Sequence, residues 1–214
     1  MRKVPFVKGE FYHIFNRGVD KRNIFSDKHD LERFFQSMVE FNTQKPIGSI
    51  YENSFGKKDK NNSLGSLTPK LDRNMLVNLI CFCLNPNHYH FVLEQITDGG
   101  IEKFMQKLGT GYTNYFNEKY KRKGSLFQGS YKGVYVESNE QLLHVSVYVN
   151  LNNKLGSLTP KLSKSSWVEY VDKVNGICKK DIILEQFKSI KEYKSFAEDS
   201  LEDIIARKEN EWEV

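Results

Sequence analysis

The sequence predicts an α+β fold, and three observations support this prediction. Segments dense in aromatic and branched residues, as in strands, alternate with segments whose apolar residues recur at helical spacing. Two strand segments are separated only by the tight turn Asn85-Pro86-Asn87, as in an antiparallel hairpin. The chain has 214 residues, of which 39% are hydrophobic, so it can bury one good core.

Four strands are predicted from composition and turn signals, at residues 10–17, 75–84, 88–95 and 131–137. The first strand ends at Gly18, and the second and third flank the Asn-Pro-Asn turn. The fourth alternates apolar with polar residues. Two helices are predicted at residues 26–41 and 101–120. Ser26 is the expected N-cap of the first helix, because serine accepts hydrogen bonds from the backbone of a first turn.

The segment from Ser138 to Leu151 carries two conflicting signals. Ser138 and Gln141 match a capping box, which favours a helix, whereas the valine-rich alternation after them favours a strand. His144, Tyr148 and Asn152 are spaced four residues apart, so they share one face in either structure. We therefore expect these three side chains to converge on one point.

Composition also indicates how the chain is organised. Residues 43–74 are rich in Lys, Asn, Gly, Ser and Pro, which predicts a mobile insertion within a domain at residues 1–167. Residues 168–214 are highly charged with helical spacing, which predicts a C-terminal helical appendage. The chain has no apolar run of membrane-spanning length and no apolar signal segment, and its three cysteines fit a reducing compartment. We therefore expect a cytoplasmic protein.

His88 and His90 alternate with Tyr89 on a predicted strand, so the two imidazoles project from one face. Two adjacent imidazoles supply half of a metal site. Cys81 and Cys83 offer a zinc site as an alternative. A symmetric hairpin would place both cysteines on the face of Tyr89, away from the histidines, and a one-residue shift would reverse this.

The net charge of +5 permits a polyanionic partner without requiring one. Residues 119–132 (KYKRKGSLFQGSYK) interleave cations with aromatic rings, a composition that suits single-stranded nucleic acid and equally suits a solvated loop.

Several stretches together resemble one family. They read YHIFNRGVDKRNIFSDKHDLERFF, PNHYHFVLEQ, GTGYTNYFNEKYKRKGSLFQGSYKG and HVSVYVNLNNKLG. The chain from Phe11 to about Trp167 resembles the single-strand DNA transposases of the His-hydrophobe-His superfamily, in particular the tyrosine transposases associated with repetitive extragenic palindromes (REP).

The resemblance implies a ferredoxin-like antiparallel sheet with helices packed on one face. It implies that His88 and His90 bind a metal ion, that Asn152 completes the metal site, and that Tyr148 is the nucleophile. Mixed nitrogen and oxygen ligands make Mg²⁺ or Mn²⁺ the expected ion. The implied activity is cleavage and rejoining of single-stranded or hairpin DNA through a 5′-phosphotyrosine, by a monomer or a homodimer. The residues expected to contact DNA are Arg17, Lys21, Arg22, Lys121, Arg122, Lys123 and Lys132.

A non-catalytic module of the same fold that binds hairpin DNA or RNA is the alternative function. The presence of all four residues of the implied site favours the enzyme, because a binding module has no need of a nucleophile.

A near-identical segment occurs twice, as NNSLGSLTPKL at residues 61–71 and NNKLGSLTPKL at residues 152–162. Outward from the central leucine, its residues can be encoded by reverse-complementary triplets, such as AGT for Ser with ACT for Thr. We interpret both copies as translated DNA hairpins that landed in the gene. Codons that cannot pair as a stem would exclude this origin.

Deletion of residues 57–71 should leave DNA cleavage largely intact, because insertions in surface loops contribute little to folding. The measurement compares cleavage of a labelled hairpin oligonucleotide by the full-length and shortened chains. A collapse of folding or activity in the shortened chain would contradict this expectation.

Overall fold

The computed structural model describes residues 5–45, 47, 50, 74–155, 161–172 and 174–211, with side chains up to residue 206. Most of the predicted insertion at residues 43–74, including the whole first repeat, lies outside the described residues. Residues 156–160 of the second repeat also lie outside them.

An antiparallel sheet forms the centre of the described structure. Its strands in spatial order are β4 (Lys132–Tyr135), β1 (Phe11–Arg17), β3 (His88–Gln95), β2 (Val77–Asn85) and β5 (Lys164–Ser165). The order is β4-β1-β3-β2, with a described helix at residues 28–40 between β1 and β2 and another at residues 100–119 between β3 and β4, and this is the ferredoxin-like arrangement. The predicted α+β fold is therefore confirmed.

The α-helices of the described chain are α1 (Lys28–Glu40), α2 (Gly100–Lys119), α3 (Asn139–Asn150), α4 (Trp167–Val171), α5 (Asp181–Leu184) and α6 (Ile190–Glu211). The expected N-cap of α1 was one residue off. Asp27, not Ser26, caps the helix, and its side chain accepts a hydrogen bond from Asp30 N at 2.9 Å. Within the described ranges, no helix combines the length and apolar character needed to cross a bilayer.

Residues Asn139–Asn150 form a helix despite their strand-like alternation. Ser138 Oγ accepts a hydrogen bond from Gln141 N at 3.1 Å, and Gln141 Oε1 accepts one from Glu137 N at 2.6 Å. Val147 and Val149 are fully buried. The cap and this burial together outweigh the β-propensity of valine.

Helices cover both faces of the sheet. α1 and α2 pack on the face of Phe91, in a buried cluster that includes Phe34 and Tyr112. α3 packs on the opposite face, where Val92 and Val147 share a second cluster. Helices were expected on one face. α1 and α2 fulfil that expectation, and α3 adds a further layer on the face that carries the histidines.

The residues after Trp167 belong to this second cluster. The fully buried side chains that they contribute are Tyr170, Ile183, Tyr193 and Ala197. The division into a domain and an appendage at residue 167 stays a prediction. The C-terminal helices nevertheless complete the packing around α3.

A buried polar network joins α3 to the C-terminal segment. Asn150 is fully buried, its Nδ2 donates to Tyr193 Oη at 3.1 Å, and its Oδ1 accepts from Ser166 Oγ at 2.6 Å. Both ends of the carboxamide are therefore satisfied without water. This network fixes the C-terminal end of α3 against α6.

Replacing Asn150 by alanine should lower the free energy of unfolding by about 1–3 kcal/mol, because two buried hydroxyl groups lose their partner. Urea denaturation measures the change. Asn139→Ala is the control, since Asn139 begins the same helix but pairs with exposed Gln186. The control should change stability by less than about 0.5 kcal/mol. Equal losses in the two variants would contradict the prediction.

Candidate active site

The two predicted histidines lie on β3 and project from the same face of the sheet. The ring centroids of His88 and His90 are 5.2 Å apart, with the planes at 87°. Tyr89 points to the opposite face, where it is buried and stacks on Phe91 at 4.7 Å. The structure thus has the alternation that the sequence predicts for this strand.

The register of the β2–β3 hairpin differs from the symmetric one considered in the sequence analysis. The turn contains only Pro86 and Asn87, so Asn85 pairs with His88 and Cys83 with His90. Since a one-residue shift moves side chains to the other face, Cys83 lies on the histidine face. The expected placement of the cysteines beside Tyr89 is wrong.

Cys83 would nevertheless have to lose a proton to bind a metal ion. Burial raises the pKa of its thiol to about 12, so the thiol stays protonated at neutral pH. In the part of the chain that the structure describes, no three histidine, cysteine or acidic side chains form a group suited to a metal ion. The zinc alternative therefore gains no support from these residues.

Helix α3 brings Tyr148 to the histidines. The Tyr148 ring lies 5.5 Å from the ring of His90, with the planes at 90°. Asn152 follows the helix in a 3₁₀ turn, Asn152–Lys154, and its Oδ1 lies 3.1 Å from His88 Nε2. His144 was expected to join this group, but it does not. It is exposed, and its ring lies 5.3 Å from that of Phe196 in α6.

Asparagine side chains contact both ring nitrogens of His88. Its Nδ1 lies 2.6 Å from Asn87 Oδ1. Because an amide oxygen only accepts, the proton belongs to His88 Nδ1, and Nε2 is an acceptor. Asn85 Nδ2 donates to this Nε2 at 3.0 Å and to Asn152 Oδ1 at 2.8 Å. Two acceptor atoms, His88 Nε2 and Asn152 Oδ1, therefore face each other.

A third histidine, which was not predicted from the sequence, belongs to the site. His13 Nε2 lies 2.9 Å from His90 Nδ1, and the His13 ring is 5.8 Å from that of Tyr148. Burial lowers the pKa of His13 to about 4, so its neutral ring can accept the Nδ1 proton of His90. His90 Nε2 then carries the lone pair. Alternation along β1 indicates the face of His13, but only the pairing of β1 with β3 reveals this neighbour.

Tyr148 is partly buried, and this burial raises the pKa of its phenol. A hydrogen bond with Asn152 favours the ionised form and opposes part of the rise. Tyr148 is therefore a neutral phenol at physiological pH, and its proton has to leave before or during any attack by its oxygen.

The donor atoms suit a hard divalent ion. His88 Nε2 and Asn152 Oδ1 are acceptors 3.1 Å apart, and His90 lies on the same face. Asn85 Oδ1 is also buried here and has no hydrogen-bond partner among the described residues. Mg²⁺ and Mn²⁺ prefer oxygen ligands and accept imidazole nitrogen. The residues present therefore fit such an ion.

The predicted DNA-contacting residues fall into two groups. Around the histidine hairpin lie Arg17, Lys21, Arg22 and Lys132, whereas at the end of α2 lie Lys121, Arg122 and Lys123. Arg17 pairs with His88 in the β1–β3 register, and the Lys21 carbonyl accepts from Asn87 Nδ2 at 3.3 Å. The first group therefore lies beside the candidate site. The role of both groups in DNA contact stays a prediction.

The sequence profile of the family described as "Transposase IS200 like" matches residues 46–152, which is half of the chain. This range contains both histidines, Tyr148 and Asn152. The chain belongs to the IS200-like transposase family. Family membership makes it a DNA-cleaving and strand-transferring enzyme, in a family that typically needs a divalent metal ion.

This IS200-like transposase also resembles a solved structure described as the REP-associated tyrosine transposase bound to a REP hairpin. The TM-score is 0.53 at 10% sequence identity, and the match covers 83% of this chain and 88% of the other. At this identity the likeness shows the fold alone. A search of curated proteins gives no match to the chain.

Replacing His13 by leucine should weaken Mn²⁺ binding about 10- to 100-fold, because His90 loses the acceptor that fixes its Nδ1 proton. Loss of the free-Mn²⁺ signal in electron paramagnetic resonance measures binding. His13→Gln should restore most of the affinity, since its amide oxygen can accept in place of the imidazole nitrogen.

His29→Leu is the matched control, because His29 is exposed on α1. It should bind Mn²⁺ like the unmodified protein. Wild-type affinity in His13→Leu would show that His13 does not position His90.

Proposed function

We propose that this transposase is a metal-dependent single-strand DNA endonuclease and strand transferase that acts on hairpin or palindromic repeat DNA through a 5′-phosphotyrosine at Tyr148. One observation carries the proposal. The Tyr148 ring lies against His90 at 5.5 Å, while Asn152 at the end of the same helix places Oδ1 3.1 Å from His88 Nε2. A phenol, two imidazoles and a carboxamide are thus close together, which supports the proposed roles.

Tyr148 is the proposed nucleophile. Its phenolic oxygen attacks the scissile phosphorus and the bond to the 3′ oxygen breaks, which gives a 5′-phosphotyrosine and a free 3′-hydroxyl. The phenol proton is lost and the 3′ oxygen gains one, so protons balance. One phosphodiester replaces another, so the 3′-hydroxyl can reverse the step and no ATP is needed.

His88, His90 and Asn152 are the proposed metal ligands. A bound Mg²⁺ or Mn²⁺ supplies Lewis-acid polarisation and orientation of the scissile phosphate. Asn87 and His13 keep the two imidazoles in the tautomers whose Nε2 lone pair is available to a metal ion. The same Asn152 side chain interacts with Tyr148, so one amide links the ligand set to the nucleophile.

Hairpin DNA is the proposed substrate class. The structurally similar REP-associated transposase is described as bound to a REP hairpin. In this chain, Arg17, Lys21 and Arg22 lie beside the histidine hairpin, where cations would contact phosphates next to the cleaved bond. The proposed substrate therefore reaches the nucleophile from this edge of the sheet.

Tyr148→Phe should abolish the covalent adduct between the protein and a labelled hairpin oligonucleotide while leaving DNA binding in place. The phenylalanine ring keeps the packing against His90 and removes only the attacking oxygen. Adducts are counted by denaturing electrophoresis in Mn²⁺ or Mg²⁺, and removal of the ion with a chelator should also stop adduct formation.

Tyr135→Phe is the control, because the Tyr135 hydroxyl donates to Glu10, the residue before β1, and not to the histidines. The control should form adducts normally. A Tyr148→Phe protein that still forms adducts would refute the assignment. Hairpin binding without any adduct in the unmodified protein would favour the non-catalytic module.

A further inference from the structure

Asn85 is a further buried polar residue of the site. It is the last residue of β2, it pairs with His88 across the hairpin, and it is 2% exposed. Its side chain lies on the histidine face, because Asn85 and His88 are opposite each other in the register. A buried carboxamide at this position has to find its hydrogen-bond partners within the site.

The Asn85 amide nitrogen bridges the two proposed ligand atoms. Nδ2 lies 2.8 Å from Asn152 Oδ1 and 3.0 Å from His88 Nε2, so each of its hydrogens meets one acceptor. The lone pairs that would bind an ion are directed at this NH₂ group. The amide nitrogen therefore holds the ligand pair together in place of a cation.

The other end of the carboxamide is unsatisfied. Asn85 Oδ1 is buried and has no hydrogen-bond partner among the described residues. A buried carbonyl oxygen without a partner is unfavourable, whereas an amide oxygen is a good ligand for Mg²⁺ or Mn²⁺. A half-turn of the carboxamide exchanges the two ends and turns the oxygen toward His88 and Asn152.

We propose that Asn85 is a fourth protein ligand of the metal centre, giving its Oδ1 to the ion and its NH₂ to the ligand pair when no ion is bound. This inference rests on the proposed metal-dependent function. The Asn85 side chain then has two roles, one without a bound ion and one with it. Without an ion the NH₂ group keeps two acceptors from repelling each other, and with an ion the oxygen adds a second carboxamide to the donor set.

Two variants of the full chain test the proposal by Mn²⁺ binding, measured by electron paramagnetic resonance without DNA. Asn85→Leu keeps the approximate size and removes both polar atoms, so Mn²⁺ should bind about tenfold or more weakly. Asn85→Asp keeps an oxygen and removes the NH₂ group, so Mn²⁺ should bind at least as tightly as to the unmodified protein. The Asp variant should also gain more thermal stability from Mn²⁺ than the unmodified protein gains.

Asn78→Leu is the matched control, since Asn78 lies on the same strand but bonds to Glu94 far from the histidines. It should bind Mn²⁺ normally. Asn85→Leu binding as tightly as the unmodified protein, or more tightly, would overturn the proposal, as would Asn85→Asp binding as weakly as Asn85→Leu. If the unmodified protein binds no Mn²⁺, the metal-dependent function fails and the ligand assignment fails with it. Normal Mn²⁺ binding without adducts would leave the Asn85 result valid and refute only catalysis.

Discussion

The pairing of β3 between β1 and β2 is the constraint on which the site depends. The register places Arg17, His88 and Asn85 in one row across three strands. Phe15, His90 and Cys83 form a second row, two residues further along each strand. A slip of one residue in β3 would turn both histidines into the core under α1 and α2. The large apolar side chains on that face, such as those of Tyr89 and Phe91, make such a slip very unfavourable because they would lose their burial.

The second requirement is that α3 stays against the histidine face. The proposed nucleophile, Tyr148, and the proposed amide ligand, Asn152, come from this helix and from the turn after it, more than fifty residues beyond the histidines in the chain. Val147 and Val149 bury one side of α3, and Asn150 joins it to Ser166 and Tyr193. The C-terminal helices thus contribute to the geometry of the site without touching the reacting atoms.

Much of this arrangement could be predicted from the sequence. The predictions failed where the position of a side chain depends on the pairing of strands that are distant in the chain. Alternation around Tyr89 predicted the two histidines, and four-residue spacing predicted that Tyr148 and Asn152 share a face. His13 was missed because a single histidine in a strand gives no sign of which strand lies beside it. The predicted hairpin register was wrong by one residue because Asn85 can belong to the turn or to the strand, and its pairing with His88 makes it the last residue of the strand.

Cys83, the buried thiol beside His90, determines how this part of the site reacts with oxidants. Only thiolates react readily with peroxides and disulfides, and a pKa of about 12 leaves Cys83 almost entirely protonated in the cell. Oxidation to a sulfenic acid would insert a polar oxygen between β2 and α3 and disturb the packing of both. A protonated, buried sulfur reacts slowly with such oxidants, so the packing between these two elements is protected from this modification.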